Sequence, residues 1–390
     1  MRIFISLGRI QRMYIQRNIP LLDTLRRKSV ILLGPRRTGK STMIREQVQA
    51  DQTYNLLEAD TFRRLSYQPE SIRKSLTDQT KLVVIDEIQK LPSLMDEVHL
   101  MIEQFKIKFL LTGSSSRKLY KSHTGLMAGR ATRLYMHPFN SQELGQANLD
   151  TLLLWGSLPG IHFAKTQEHE LKDYVGMYLK EEILSEALVR RIENFSRFLE
   201  AAAHTNGQVL NFERIASDAQ VPARTVREYY HLLEDTLFGK MVEPVKSTKK
   251  RKSISKAKFY FFDLGVVSGL LGRKQLISKT VEYGQTFEHF IFLEMDCYRD
   301  YFSQESEIGF WQDYQEGEID FIINDEIAVE VKSSEKLRRE DLKSMQKFMA
   351  KGRLKRHIIV TNSKERTSIE GIEVIPWQDF LQELWAQQIF

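Results

Sequence analysis

The chain holds one cysteine, Cys297, among 390 residues. A lone thiol excludes an internal disulfide framework and a cysteine-rich zinc site, and it fits a reducing, cytoplasmic setting. No apolar run nears the ~20 residues that a membrane-spanning helix needs, so no membrane partner is expected. The opening Met1 to Leu7 is apolar, but Arg2, Arg9 and Arg12 interrupt it, and it is too short for a secretion-signal core. Met13 makes a more natural start, so the residues before it read as an extension or a mis-assigned beginning. Internal repeats and low-complexity tracts are also missing. The net charge of +6 is mildly basic. It permits nucleic acid as a partner without demonstrating one. At this length two or three domains are expected, each able to bury its own core.

What is present begins with Gly34-Pro35-Arg36-Arg37-Thr38-Gly39-Lys40-Ser41, a complete Gly-x-x-x-x-Gly-Lys-Ser loop. The apolar run Val30 to Leu33 precedes it, and Thr42 to Gln49 has helical character. That strand–loop–helix context predicts a phosphate cradle built from backbone N–H groups and a helix N-terminus. Gly34 to Thr42 would bind ATP, Lys40 would reach the β- and γ-phosphates, and Ser41 would ligate Mg2+.

A second buried run, Lys81 to Ile85, ends in Asp86-Glu87. Acids at the carboxyl end of such a strand lie where open α/β sheets bind ligands. Asp86 is expected to hold the magnesium and Glu87 to orient or deprotonate the attacking water. Strands are predicted at Val30–Leu33, Tyr54–Leu57, Leu82–Ile85, Lys108–Leu111 and Arg133–Met136, giving an α/β domain over residues 13–150. The tip Thr112-Gly113-Ser114-Ser115-Ser116 offers Thr112 and Ser114 as sensors of the γ-phosphate. Arg130 is a candidate arginine finger acting on a neighbouring subunit, with Arg133 and Arg117 as competitors, so a homo-oligomer is expected.

Residues 151–262 read as helical, with heptad-like apolar spacing in Tyr174 to Leu188 and Phe195 to Ala203. Phe212 to Glu234 has helix-turn-helix spacing around Pro222. Lys246 to Lys258 then carries seven Lys or Arg and no acid, between two strand-like runs. The pattern is that of a winged helix with a basic tip. Arg224, Arg227 and Lys246 to Lys258 would contact DNA phosphates; the alternative is a lid or oligomer contact.

In the last segment, 263–390, Gly317 to Ile323 and Ile327 to Lys332 read as a hairpin around Asn324-Asp325-Glu326. Alternation along a strand sets Glu330 and Lys332 on one face, and the hairpin brings Asp320 near Glu330. Two acids and a lysine suit metal-assisted phosphodiester cleavage, with Lys332 positioning or activating water. Glu288, on an upstream amphipathic helix, adds a third carboxylate. Lys343 and Gln346 are weaker candidates.

Taken together, these stretches resemble a prokaryotic family of AAA-type ATPases with a C-terminal DUF4143 domain. Further marks are Gly129-Arg130, His137-Pro138-Phe139 with Glu143, Trp155-Gly156-Ser157-Leu158-Pro159, Lys258-Phe259-Tyr260-Phe261-Phe262-Asp263 and Glu330-Val331-Lys332. The resemblance implies a P-loop AAA-type ATPase domain, a winged helix and a restriction-endonuclease-like α/β domain whose metal ligands would be Glu288, Asp320 and Glu330 beside Lys332. Ile319 replaces the proline of that nuclease pattern. The function expected is an ATP- and Mg2+-dependent ATPase coupled to a nuclease-like domain acting on nucleic acid. The rivals are an ATP-controlled DNA-binding switch with an inactive nuclease-like domain, and a protein-remodelling ATPase.

Overall fold

The computed structural model describes residues 14–115, 129–178, 192–245, 256–313, 317–350, 352 and 354–390. Of the expected features, Arg117, Gly125 to Ala128 and residues 246–255 of the basic segment lie outside the described residues, as does much of Tyr174 to Leu188.

The N-terminal unit is a five-stranded sheet in the order β2 (Gln52–Asn55), β3 (Leu82–Asp86), β4 (Lys108–Gly113), β1 (Ser29–Leu33), β5 (Ala131–Tyr135). Every pairing in it is parallel. All five residues of β1 are buried, as are Val83 to Asp86 of β3. Such strands read as unbroken apolar runs because helices cover both faces of a parallel sheet. The carboxyl ends of β1, β3 and β4 lie side by side in the middle of the sheet.

The middle unit packs the helices Ile192–His204, Phe212–Ala219 and Ala223–Asp235 against an antiparallel hairpin of β6 (Gly239–Val242) and β7 (Lys258–Phe261). Phe195, Phe198, Tyr230, Phe259 and Phe261 fill its core. Val266 and Val267 join that core. The middle unit therefore continues past the expected boundary at residue 262.

The C-terminal unit is a six-stranded mixed sheet: β12 (Thr367–Ile369), β13 (Ile372–Pro376), β11 (Arg356–Thr361), β10 (Ile327–Lys332), β9 (Gly317–Ile323), β8 (Ile308–Asp313). β8, β9 and β10 form an antiparallel meander, and β11 returns parallel to β10 after the helix Arg339–Met349. The long helix Val281–Phe302 packs Phe287, Ile291 and Met295 into one core, while Leu342, Met345 and Phe348 fill another.

Backbone bonds stitch the units together. Val245 N donates to Phe310 O at 2.8 Å and Phe310 N to Glu243 O at 3.2 Å, so the chain leaving β6 covers the open edge of β8. The far end of Val281–Phe302 reaches the first unit, where Cys297 and Tyr301 share a core with Val30, Leu110 and Met136. Among the described residues, no helix is long and apolar enough to cross a membrane.

Candidate functional site

The phosphate loop turns into the helix Lys40–Gln47 at Gly39, whose φ of 95° is left-handed and suits a residue without Cβ. Lys40 is buried, and its Nζ donates to the loop's own carbonyls, Gly34 O at 2.6 Å and Pro35 O at 3.0 Å. Ser41 Oγ donates to Asp86 Oδ2 at 2.9 Å. Thr112 Oγ1 donates to the other Asp86 oxygen and accepts from Glu87 N at 3.0 Å. Gln89 Nε2 donates to the Glu87 carboxylate and to Ser114 Oγ at 3.0 Å. The loop, the acid pair and both strand-tip hydroxyls thus form one hydrogen-bonded array. The hard oxygen donors of Ser41 and Asp86, already side by side, suit Mg2+.

Two members of this array escaped the sequence reading. Gln89 carries no signal beyond following an acid pair. Arg17, fully engaged and buried, donates to Thr38 O at 2.8 Å, His137 O at 2.7 Å, Pro138 O at 3.0 Å and Glu143 Oε2 at 2.9 Å. It ties the phosphate loop to the chain leaving β5. Arg36 lies within the loop and Thr42 directly follows it, and Arg37 lies 3.5 Å from Glu170.

Arg130 stands at the other end of the sheet. Ser29 pairs with Ala131 and Leu33 with Tyr135, so Arg130 is six residues along the strand direction from Gly34, about 20 Å at the usual rise. It pairs with Glu103. Arg133 is exposed on β5.

In the C-terminal unit, Asp320 and Glu330 lie together at the β9–β10 hairpin. Val331 N donates to Asp320 Oδ2 at 2.7 Å, Asp320 N to Glu330 Oε2 at 3.4 Å, and Lys332 Nζ to Glu330 Oε1 at 2.6 Å. Burial, with Glu330 and Glu288 close by, holds the Asp320 carboxyl well above its usual range. Burial also raises Glu330, against the pull of Lys332. Lys332 itself is raised because these carboxylates outweigh its desolvation. Glu288 brings the third carboxylate, but Tyr260 OH (2.5 Å) and Lys258 Nζ (3.2 Å) occupy its Oε1. Lys258 also meets Glu318 at 2.5 Å. Oxygen donors of this kind suit a hard divalent cation. Gln346 pairs with Glu370, and Lys343 is exposed.

Lys258 corrects one expectation. It was grouped with the basic tip as a phosphate contact, yet it is 2% exposed and faces the acids. It begins β7, and strand alternation turns Lys258 and Tyr260 to the same inward side. Arg224 is exposed beside Glu228 at 3.1 Å, and Arg227 stacks on Phe212 at 5.1 Å.

β7 also reaches toward the nucleotide end. Just beyond it, Asp263 accepts from Ser157 N at 2.8 Å and Val266 N at 3.1 Å. Burial raises its carboxyl to about 6, against these donors. Gly156 has a φ of 70°, and a Cβ there would lie 2.2 Å from Asp263 Oδ1. Pro159, two residues after Ser157, is so near the phosphate loop that a methyl group on Gly39 would touch it at 3.7 Å.

A further cluster joins His137, Asp296 and Asp300, whose ligand atoms lie within 4.8 Å of one another. Arg299 pairs with both aspartates (2.7 and 2.6 Å) and Lys240 with Asp296 (2.8 Å). It is a closed ion network beside a cavity of about 320 Å³.

Comparison with known proteins follows the same three units. Residues 26–145 match an AAA domain, residues 146–276 a domain of unknown function, DUF8612, and residues 283–380 another, DUF4143. Uncharacterized protein Mb2031c of Mycobacterium bovis is 24% identical over 329 residues, which is 81% of this chain and 73% of that protein. Rv2008c of Mycobacterium tuberculosis gives the same figures. Among solved structures, Aeropyrum pernix ORC1 in complex with DNA matches at 14% identity and a TM-score of 0.25, covering 64% of this chain and 88% of that one. The replication initiator DnaA bound to AMPPCP and single-stranded DNA matches at 13% and 0.28, covering 57% and 90%. Likeness that slight transfers nothing to this chain. The phosphate loop, the acid-tipped β3 and the family matches agree: this is a chain of the AAA-type ATPase class with a DUF4143 domain at its C-terminal end.

Proposed function

We propose that the protein is a magnesium-dependent ATPase whose nucleotide state controls a nuclease-like C-terminal site acting on nucleic acid. Magnesium, when bound, would neutralise phosphate charge, and Ser41 and Asp86 would hold it. Lys40 would leave the Gly34 and Pro35 carbonyls for the phosphates. Glu87, steadied by Gln89, would orient the attacking water. Arg130 is too far from its own loop to serve it, which supports a finger acting on a neighbouring copy.

The helix Val281–Phe302, the β8–β9–β10 meander and the helix Arg339–Met349 leading to β11 have the element order of restriction-endonuclease-like folds. In that reading Asp320, Glu330 and Glu288 hold magnesium and Lys332 positions water. The three helices and the β6–β7 hairpin support a winged helix, with Arg224 and Arg227 as phosphate contacts. The observation that carries the coupling is β7. Lys258 and Tyr260 engage the acid cluster, while Asp263 holds the Ser157 loop beside Gly39.

Phosphate release from ATP tests the first half. Lys40→Ala should lower it by at least ~100-fold, as loss of one preorganised charge donor does. Unchanged hydrolysis would refute the assigned site. A second reading, a DNA-binding switch with an inert acid cluster, is favoured by one observation: Lys258 already neutralises Glu288 and Glu318.

A further inference from the structure

The acid cluster contains a cation that belongs to another part of the chain. Lys258 comes from β7 of the middle unit, yet its side chain is 3% exposed and its Nζ lies 3.2 Å from Glu288 Oε1 and 2.5 Å from Glu318 Oε1. The Phe310 ring backs it at 5.3 Å. Tyr260 OH donates to the same Glu288 oxygen at 2.5 Å, so that atom has no room for a further ligand while both donors stay. Around this point stand the acids Glu288, Glu318, Asp320 and Glu330, against the lysines Lys258 and Lys332.

We propose that the Lys258 ammonium is the resident cation of the acid cluster, and that a divalent cation binds Glu288 and Asp320 only as Lys258 leaves them. This rests on reading the cluster as a divalent-cation site. Carboxylate oxygens ligate magnesium at about 2.0–2.1 Å. An ammonium on the same oxygens competes twice, by occupying the lone pairs and by repelling the incoming charge. Removing Lys258 without replacement leaves four acids with one lysine, an imbalance that a divalent ion would correct. Because Lys258 also begins β7, its departure requires the hairpin to shift, and the far end of that strand leads to the loop held by Asp263. The cluster would then be latched until the middle unit moves. A lysine serving merely as a structural tie would stay on the acids, shielded from solvent, at every metal concentration.

The test uses the full chain without nucleotide and Mn2+ as the probe, titrated by calorimetry. Lys258→Met should bind Mn2+ at least tenfold more tightly than wild type, and Asp320→Asn in the same background should erase the gain. Equal or weaker binding by folded Lys258→Met overturns the proposal. Should that variant fail to fold, acetic anhydride labelling of the wild type read by mass spectrometry decides. Lys258 should be protected without metal and labelled at saturating Mn2+; protection in both states overturns the latch. If neither protein binds Mn2+, the latch and the cation-site reading fall together. If binding tightens but neither protein cleaves nucleic acid, the latch stands and the nuclease reading falls.

Discussion

The phosphate loop and the C-terminal acid cluster face opposite charge problems. The loop holds Lys40, whose ammonium rests on the carbonyls of Gly34 and Pro35. On the proposed reading, phosphate oxygens would take the place of these carbonyls. The cluster gathers carboxylates, and a charged partner, Lys258, sits on them. Buried pairs of full charges are costly to break, because each partner left alone is desolvated and unmatched. On the proposed function, the first site is ready for its ligand, whereas the second is guarded. The difference teaches that readiness depends on what neutralises a site before the ligand arrives, and on which part of the chain supplies it.

The comparison breaks most sharply at Arg130. If the loop were self-sufficient, Arg130→Ala would leave hydrolysis intact. The account expects a loss of about 1,000-fold, the low end for an arginine finger. Mixing with Lys40→Ala protein should restore activity, since each variant supplies what the other lacks. Phosphate release from single and mixed proteins reads both.

A smaller effect sharpens the joint between the sites. Glu294 accepts from Ser141 N and Oγ, each at 2.8 Å, and from Trp385 Nε1 at 2.9 Å, tying the long helix to the chain after β5. Burial pushes its carboxyl up from 4.5 to about 7. A raised carboxyl favours folding while protonated. Its contribution is complete below about pH 4.5 and is lost as pH rises through about 7, at most about 3 kcal/mol. Denaturant unfolding at about pH 5 and pH 8 should show that fall in wild type, and Glu294→Gln should flatten it.

Asp263→Ala removes the acceptor for Ser157 and Val266 and should cost about 2 kcal/mol in unfolding free energy. An unchanged value would detach β7 from the phosphate loop. The smallest expected change is at the surface: Arg224→Ala or Arg227→Ala should each reduce the salt slope of DNA binding by about one, with little effect on sequence preference.

The same contrast explains what the sequence made legible. The phosphate loop is contiguous, so its spacing alone announces it, and β1, β3 and β4 are unbroken apolar runs. Asp320, Glu330 and Lys332 were accessible because a hairpin and a two-residue period bring them together. Lys258 and Glu318 were not, since charge pattern alone puts a lysine beside a basic run on the surface. Only the seating of β7 against the acids turns it inward. Arg17 and Gln89 were hidden for a related reason, since the partners that join them to the site, Thr38 and Glu143 for Arg17 and Ser114 for Gln89, lie far away in sequence. Strand ends also moved. β4 runs on to Gly113 because Leu33 pairs there, and β2 is Gln52–Asn55 rather than Tyr54–Leu57 because its partners are Val83 to Asp86.

The most direct test incubates the purified protein with single- and double-stranded DNA and RNA in magnesium, with and without ATP, beside Lys40→Ala and Asp320→Ala. The account predicts cleavage that Asp320→Ala abolishes and that depends on ATP and on Lys40. No cleavage under any condition, with ATP hydrolysis intact, would contradict it.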